Sequence, residues 1–173
     1  MNKLRPLLLL LFFTYSFTEA STLLEAYQNA LPGMGYDKLI ILNSDSTYTG
    51  GITISNEKVG IRGNGAIIDL AGGYYIYVTG ESTIEIDGCV ILDGVYGIHC
   101  DGNVNAYISQ CTFYRNTTGI SFMTTMGSIE VYNTIISNSS HYGFATTEGS
   151  YRILSYIDSY ANVDGNYMEF CPG

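Results

Sequence analysis

In "YGIHC" (residues 96–100), a glycine precedes alternating apolar residues, and this pattern decides the fold because it returns along the chain. It occurs six times, in "GGITI" (50–54), "GGYYIYV" (72–78), "YGIHC" (96–100), "TGISF" (118–122), "YGFAT" (142–146) and "DGNYMEF" (164–170). The aligned glycines are Gly51, Gly73, Gly97, Gly119, Gly143 and Gly165, at intervals of 22, 24, 22, 24 and 22 residues. Alternation with a period of two indicates a strand with one buried face. The regular interval therefore indicates a solenoid with one coil per repeat.

Each repeat carries a second and a third apolar patch, as in "STIEIDGCVILDG" (82–94). Three short strands with polar corners make one coil, and coils stacked about 4.8 Å apart pair each strand with its equivalents. The regular Leu frame of leucine-rich repeats is absent, and a β-sandwich would not repeat at a near-constant interval. The sequence therefore predicts an all-β parallel β-helix over residues 48–173, a solenoid of about five to six coils of 22–24 residues.

Residues at equal positions of successive coils should stack on one another. This predicts a core row made of Ile54, Ile76, Ile98, Ile120 and Phe144. At the end of another strand, Gly94, Asn116 and Asn138 lie 22 residues apart, which predicts a ladder of side-chain amides along the axis. Asn116 and Asn138 also fit the N-glycosylation pattern, although chance matches are expected in a chain of this composition.

Two of the four cysteines, Cys89 and Cys111, are 22 residues apart and should stack in adjacent coils. We interpret them as free, buried thiols, and the alternative is a disulfide, which directly stacked neighbours permit but often strain. The other two are Cys100 and Cys171. No CxxC or repeated Cys/His pair occurs, so the spacing is not a metal signature.

The segment from Ser21 to Asp69 resembles the start of pectin-lyase-like right-handed parallel β-helix proteins. The parts that carry the resemblance are apolar helix positions Leu23, Leu24, Tyr27 and Leu31, the turn Pro32-Gly33, the strand 39–42, the corner Tyr48-Thr49-Gly50, the glycines Gly63 and Gly65, and Ile68-Asp69. The resemblance implies a right-handed solenoid and an N-terminal cap over residues 21–47, with a short helix within 22–31. Ser21 or Thr22 can begin this helix and Pro32 can end it.

The ends of the chain predict a location outside the cytoplasm. Residues 1–20 combine a basic start, an apolar run and a small-residue end, which predicts a signal peptide cleaved after Ala20. The mature protein is then secreted, extracellular or on the cell surface, or periplasmic in a bacterium. No later segment is apolar for long enough to enter a membrane. The chain stops at Cys171-Pro172-Gly173 in mid-pattern, which predicts a continuation or a partner over the open end of the solenoid.

The charge of the mature chain limits its partners. Residues 21–173 contain 15 Asp and Glu against 5 Lys and Arg, a net charge of −10. Such a surface repels nucleic acid and polyanionic glycans. We therefore predict no nucleic-acid partner.

Enzymes of the resembled superfamily are lyases and hydrolases of acidic polysaccharides. The hydrolase motifs are absent, and the tryptophan motif of the lyases is impossible because the chain has no tryptophan. The remaining acids and bases are Asp69, Asp87, Asp93, Asp101, Arg62, Arg115 and Arg152. Acids beside glycine are more often turn residues. We predict no catalytic residues, no cofactor-binding or metal-binding residues and no cofactor. The alternative is the N-terminal part of a lyase or hydrolase, in which calcium could bind.

The 16 tyrosines suggest a binding surface. In "YYIYV", Tyr75 and Tyr77 should point outward together if Tyr74, Ile76 and Val78 are buried. Outward aromatic rings either pack across strands or stack on sugar rings, and both interpretations stay open. We therefore predict a secreted, non-catalytic module for binding, adhesion or scaffolding, with carbohydrate or a cell-surface glycan as the candidate partner.

Overall fold

The computed structural model describes residues 21–169 and Cys171. The predicted signal peptide, residues 1–20, lies outside the described residues. The elements are α1 (Leu23–Asn29), β1 (Leu31–Gly33), β2 (Tyr36–Ile41), β3 (Thr47–Thr49), β4 (Ile52–Ser55), β5 (Lys58–Arg62), β6 (Ile67–Asp69), β7 (Ile76–Asp87), β8 (Val90–Leu92), β9 (Tyr96–Ser109), β10 (Thr112–Tyr114), β11 (Thr118–Phe122), β12 (Gly127–Ser137), β13 (Tyr142–Thr146), β14 (Tyr151–Tyr160) and β15 (Gly165–Tyr167).

The strands form three parallel stacks around one core. The first stack is β2-β5-β7-β9-β12-β14, the second is β3-β6-β8-β10-β12-β14, and the third is β4-β7-β9-β11-β13-β15. The long strands β7, β9, β12 and β14 bend round a corner and belong to two stacks. The result is a β-solenoid of about six turns, so the predicted fold class is confirmed. In the described part of residues 48–173 no helix occurs, as predicted.

The core row of the third stack differs from the prediction by one member. Ile52, Ile76, Ile98, Ile120 and Phe144 pair in register and are at most 4% exposed. Ile54 is fully buried but pairs with Val78 in the next row. The predicted alignment of Ile54 with Ile76 is therefore wrong by two residues.

The shift arises at one corner of the solenoid. Two residues, 50–51, connect β3 to β4, whereas six residues, 70–75, connect β6 to β7. Gly73 lies in this longer corner, so it does not align with Gly51. Tyr74, which the alternation placed inside, is 58% exposed for the same reason. At the other end Gly165 pairs with Tyr142 instead of Gly143, so the regular glycine stack consists of Gly97, Gly119 and Gly143.

The predicted ladder of stacked amides does not form, because the two buried amides of this row lie two coils apart with Ser139 between them. Asn116 is 1% exposed, and its amide accepts a hydrogen bond from Gly94 N–H at 2.9 Å and donates one to Ile91 O at 3.1 Å. The equivalent amide two coils further on is Asn162, which accepts from Ser139 N–H at 2.9 Å. Asn138 is exposed and has a φ of 59°, so its predicted place in the ladder is wrong. It occupies an outward corner that needs the left-handed conformation, which asparagine tolerates.

The cap helix α1 covers the first coil. Thr22 Oγ1 accepts from Glu25 N–H at 3.0 Å and Glu25 Oε2 accepts from Thr22 N–H at 3.1 Å, which is a capping box. Leu23 is fully buried in the core. Leu24 is 46% exposed and Leu31 is 76% exposed in β1, so these two do not belong to the buried helix face. The helix ends at Asn29, and β1 and β2 form an antiparallel hairpin behind it.

Within residues 21–169 and Cys171, the structure contains no helix with the length and apolar character that a bilayer crossing requires.

Candidate functional site

A cluster of aromatic side chains lies on the outer face of the third stack. Tyr77 and His99 stand opposite each other in neighbouring strands, and Tyr75 and Tyr96 flank them. The ring centroids of Tyr96 and His99 are 4.7 Å apart and those of Tyr77 and His99 are 5.5 Å apart, both in stacked geometry. Tyr75 meets Tyr77 and Tyr96 edge-on at 5.8 and 5.7 Å. We call these four residues the tyrosine face.

His99 holds the centre of the tyrosine face in a fixed orientation. Its ring lies between Tyr77 and Tyr96, and its Nδ1 shares a hydrogen bond of 2.9 Å with Ser121 Oγ in the next coil. Burial lowers the pKa of His99, while the charge of Asp101 acts in the opposite direction. The imidazole is therefore neutral near pH 7 and packs as a third aromatic ring.

Beside the tyrosine face lies a cleft of about 420 Å³ between the first two coils and α1. Tyr74, Tyr75 and Tyr77 form one wall, and Leu24 and Thr53 line it from the other side. A second cleft of about 320 Å³ adjoins it and shares Leu24, Gly51 and Tyr74. We call the two clefts together the tyrosine groove. None of its lining side chains carries a charge.

Gly51 keeps the tyrosine groove open. A Cβ atom at this position would lie 2.9 Å from Tyr75 N and 3.1 Å from Tyr74 Cβ, both in the next coil. Only glycine lets the longer corner 70–75 pass this close to the first coil. The corner in turn carries Tyr74 out to the groove.

Two of the predicted candidate acids serve as local structural partners. Asp69 accepts a hydrogen bond from Ala71 N–H at 2.8 Å, as in an Asx turn. Asp87 accepts from Ser109 Oγ at 2.6 Å and from Gln110 Nε2 at 3.1 Å.

The candidate bases are also engaged. Arg115 forms a two-point ion pair with Asp93, at 2.6 and 2.9 Å. Arg62 pairs with Glu85 at 2.7 Å. Arg152 donates to Ser150 O at 3.0 Å.

These candidates do not converge on one place. Asp101 is exposed in β9, beyond His99. Asp87 ends β7 in the first stack, opposite Arg62, and Asp93 follows β8 in the second stack. The candidates that do lie together, Arg62 opposite Asp87 and Arg115 beside Asp93, are two separate pairs on different stacks. The expectation that the chain has no catalytic residues stays a prediction.

Cys89 and Cys111 form a stacked pair at the start of the second stack. The strands that follow them pair Val90 with Thr112, and Thr112 N–H donates to Cys89 O at 2.9 Å. Both side chains are at most 2% exposed, and all four cysteines are free thiols, which confirms the favoured interpretation. Cys100 is buried alone in the third stack, and burial raises its pKa.

Each of the two stacked thiols donates to a backbone carbonyl: Cys89 to Asp87 O at 3.8 Å and Cys111 to Ser109 O at 3.1 Å. The neighbouring Cys111 thiol and burial raise the pKa of Cys89. Directly outside Cys89 lies a third cleft, of about 350 Å³, lined among others by Asn64, Asp87 and Gln110.

Among residues 21–169 and Cys171, no group of three or more His, Cys, Asp or Glu side chains is arranged to hold a metal ion. His99 has no such partner group, and His141 forms an exposed ion pair with Asp164 at 2.6 Å. The two histidines therefore do not share a site.

Residues 33–168 match the family described as "Periplasmic copper-binding protein (NosD)". The chain belongs to the NosD family. This is a periplasmic family of parallel β-helix proteins, which confirms both the resemblance to β-helix proteins and the predicted location outside the cytoplasm. Neither a curated protein nor a solved structure gives a significant match to the chain. The family's description names copper, so the expectation that this chain has no cofactor stays a prediction.

Sequence patterns found only part of these sites. The outward pair Tyr75 and Tyr77 was predicted, whereas Tyr96, His99 and Gly51 were not connected with them. The connection depends on register between coils, and the longer corner 70–75 hides that register from sequence alignment. A shift of the second glycine segment by two residues would have placed Tyr77 beside His99.

Proposed function

We propose that this NosD-family chain is a non-catalytic binding module that holds an uncharged glycan in the tyrosine groove. The observation that carries the proposal is a groove walled by Tyr74, Tyr75 and Tyr77 that contains no charged side chain, on a chain whose overall charge is −9. Aromatic rings with an exposed face offer the apolar platform on which a sugar ring stacks, and their hydroxyls can bond to its polar edge.

The distribution of charge favours a neutral ligand. An acidic glycan needs a cation or a metal ion to balance its carboxylates, and the arginines that could supply one are paired elsewhere: Arg62 with Glu85 and Arg115 with Asp93. Threonine hydroxyls from Thr22, Thr49 and Thr53 line the groove instead. Hydroxyl groups donate to and accept from sugar hydroxyls without a net charge.

The fixed geometry of the tyrosine face also suits binding. The sandwich of Tyr77, His99 and Tyr96 restrains the wall of the groove before a ligand arrives. A wall ordered in advance loses less side-chain entropy on binding. The groove is therefore a prepared surface rather than a set of independent tyrosines.

The test is affinity electrophoresis of the mature chain in gels that contain neutral polymers, namely glucan, mannan or xylan, or acidic ones, namely polygalacturonate and alginate. We expect retardation by at least one neutral polymer. A Tyr74→Ala/Tyr75→Ala variant should bind it at least about tenfold more weakly, because both platform rings are lost.

Tyr151→Ala is the matched control, because Tyr151 is 59% exposed and Tyr74 is 58% exposed, but Tyr151 lies on β14, outside the groove. This variant should bind as the parent does. Binding to the acidic polymers alone, equal losses in both variants, or no retardation by any neutral polymer would each contradict the proposal.

The copper in the family's description can be compared with the donors of this chain. A site of three or more imidazole, thiolate or carboxylate ligands has no counterpart among the described residues. Two thiols do lie together, those of Cys89 and Cys111, and soft thiolate ligands suit monovalent copper. Both thiols are buried and donate to backbone carbonyls, Cys89 to Asp87 O and Cys111 to Ser109 O, so the described residues do not present a prepared copper site.

A further inference from the structure

We infer that the tyrosine groove selects neutral glycans whose sugars carry an N-acetyl group over neutral glycans without one. The inference rests on the proposed glycan binding, because it names the ligand class for the same groove. In this arrangement the larger cleft, of about 420 Å³, holds a sugar ring. The adjoining cleft, of about 320 Å³, takes an acetamido group together with the part of the ring that carries it.

The two clefts of the groove have different walls. Two tyrosine rings and one hydroxyl-bearing side chain line the larger cleft alone, those of Tyr75, Tyr77 and Thr53. Two hydroxyl-bearing side chains and an alanine line the smaller cleft alone, those of Thr22, Thr49 and Ala71. Gly51 lines both clefts and has no side chain that could divide them, so one ligand can occupy both.

The apolar part of the smaller cleft matches the methyl end of an acetamido group. Leu24 is 46% exposed and Tyr74 is 58% exposed, so both present apolar surface to the solvent. Ala71 adds a methyl group beside them. A ligand methyl that covers this surface removes apolar area from water. The hydroxyl of an unsubstituted sugar in the same place would give up hydrogen bonds to water and meet apolar carbon instead.

The polar part of the smaller cleft matches the carbonyl oxygen of the acetamido group. Thr22 and Thr49 lie side by side, since they form a parallel β-bridge and Thr49 N–H donates to Ser21 O at 3.1 Å. In the capping box, Thr22 Oγ1 accepts from Glu25 N–H, so its own O–H remains able to donate. A carbonyl oxygen has two lone pairs that accept such bonds. The two hydroxyls can therefore hold the ligand amide while its methyl group packs on Leu24.

A carboxylate close to the smaller cleft favours an uncharged substituent over an acidic one. Glu25 Oε2 accepts from Thr22 N–H at 3.1 Å, and its negative charge opposes sugars that carry a carboxylate. A free amino sugar would be attracted by Glu25, but its ammonium group would lose water against Leu24 and Ala71. The acetylated sugar is neutral and avoids both costs.

The test is isothermal titration calorimetry of the mature chain with two tetrasaccharides that share a β-1,4-linked backbone. Tetra-N-acetylchitotetraose carries an acetamido group on each sugar where cellotetraose carries a hydroxyl group. We expect the acetylated ligand to bind about tenfold more tightly, since it adds a buried methyl group and hydrogen bonds to its amide. Fully deacetylated chitotetraose should bind no more tightly than cellotetraose at about 0.15 M salt, where exposed charges are screened.

Thr49→Val tests the smaller cleft separately, because it removes a hydroxyl there and keeps the shape of the side chain. It should weaken binding of the acetylated ligand about threefold or more and leave binding of cellotetraose unchanged. Thr53→Val is the matched control, since it makes the same change in the larger cleft and should alter the affinity for both ligands by the same factor. Thr22 is less suitable for substitution because its hydroxyl caps α1.

Three results would each overturn the inference: equal affinities for the acetylated and the plain tetrasaccharide, tighter binding of the deacetylated one, or an equal loss for both ligands in Thr49→Val. Binding of cellotetraose in any of these cases would leave the proposed function standing. If no tetrasaccharide binds and no neutral polymer retards the chain in the gels, the proposed function fails together with the inference.

Discussion

At the scale of single residues, the glycines of the third stack are required by close packing rather than by unusual backbone angles. A Cβ atom on Gly119 would lie 2.5 Å from Ile136 Cγ2 and 2.7 Å from Gly143 O. Both partners are fixed, one in the core and one in the backbone of the next coil. The glycine repeat that reveals the fold in the sequence thus marks the place where a corner turns against the core.

Gly119→Ala should therefore lower the free energy of unfolding by about 1–3 kcal/mol, since it overpacks a rigid site. Gly73→Ala is the matched control, because nothing lies within 4 Å of a Cβ there and its φ is not in the left-handed region. Urea denaturation followed by circular dichroism measures both. Equal stabilities of the two variants would show that the third stack adjusts to a methyl group at Gly119.

The amide of Asn116 supports a different prediction. Asn116→Ala leaves Gly94 N–H and Ile91 O without their partner inside the core, which should cost about 1–3 kcal/mol. Asn138→Gly, at an exposed corner with a φ of 59°, should be nearly neutral. Thermal unfolding of the two variants compares them. A larger loss at position 138 would contradict the structural role of the buried Asn116 hydrogen bonds.

His99 makes stability depend on pH. Burial lowers its pKa in the folded state, so the unfolded chain binds a proton more readily. The contribution of His99 to stability is complete above the unfolded pKa of about 6.5 and is lost as the pH falls below it. His99→Gln, which cannot be protonated, should lose less stability than the parent between pH 7.5 and 5.5. Parallel pH dependences in urea denaturation would contradict this.

At the scale of elements, each row of the core extends through several strands. Ile120 is fully buried on β11 between Ile98 of β9 and Phe144 of β13. Ile120→Asp would place an unpaired carboxylate inside the stack and should cost several kcal/mol. Ile135→Asp is the control on the outer face of β12, since Ile135 is 40% exposed. The thermal midpoints of the two variants should differ widely, and similar midpoints would place Ile120 outside the core.

At this scale, the elements predicted from the sequence can be compared with those of the structure. The period of the coils, the cap helix and the buried thiols follow from local patterns such as Gly97, Gly119 and the pair Cys89 and Cys111. The register of the first coil does not follow, because corner lengths of two and six residues leave no distinct local signal. Asn162 was missed for a related reason: it lies 23 residues from Ser139, the position that occupies its row one coil earlier.

The tyrosine groove could be predicted least. An outward direction for Tyr75 and Tyr77 follows from alternation, but the groove also needs Tyr74, Gly51 and Leu24 from three separate elements. Their meeting depends on the exposed side of α1 and on the longer corner. The alternation of apolar residues within one strand does not predict which residues of other elements lie beside that strand.

At the scale of the whole molecule, we expect no cleavage of glycans by the mature chain. Several of its candidate acids and bases are held in local hydrogen bonds or ion pairs, as in the pair Asp93 and Arg115. Polygalacturonate and alginate would be incubated with the protein and calcium, and both unsaturated products and new reducing ends would be measured. Turnover that disappears in Asp87→Asn or Arg115→Ala would contradict this expectation and restore the lyase or hydrolase alternative.

The parallel pairing has a consequence for how the chain folds. Each parallel strand pair of the solenoid joins residues 20 to 25 positions apart, for example Thr49 with Asp69 and Lys58 with Thr83. Closing a loop of this length costs roughly 3 kcal/mol in chain entropy. Each new coil adds about the same entropic cost, whatever the number of coils that have already formed.

A whole coil should therefore be removable. Deletion of residues 97–118 joins Tyr96 to Gly119, and because Tyr96 pairs with Thr118 the register of the third stack is kept. The shortened chain should refold at nearly the parent rate in stopped-flow experiments and lose stability mainly through faster unfolding. A deletion of eleven residues from the same region, which shifts the coils by half a turn, should prevent cooperative folding altogether.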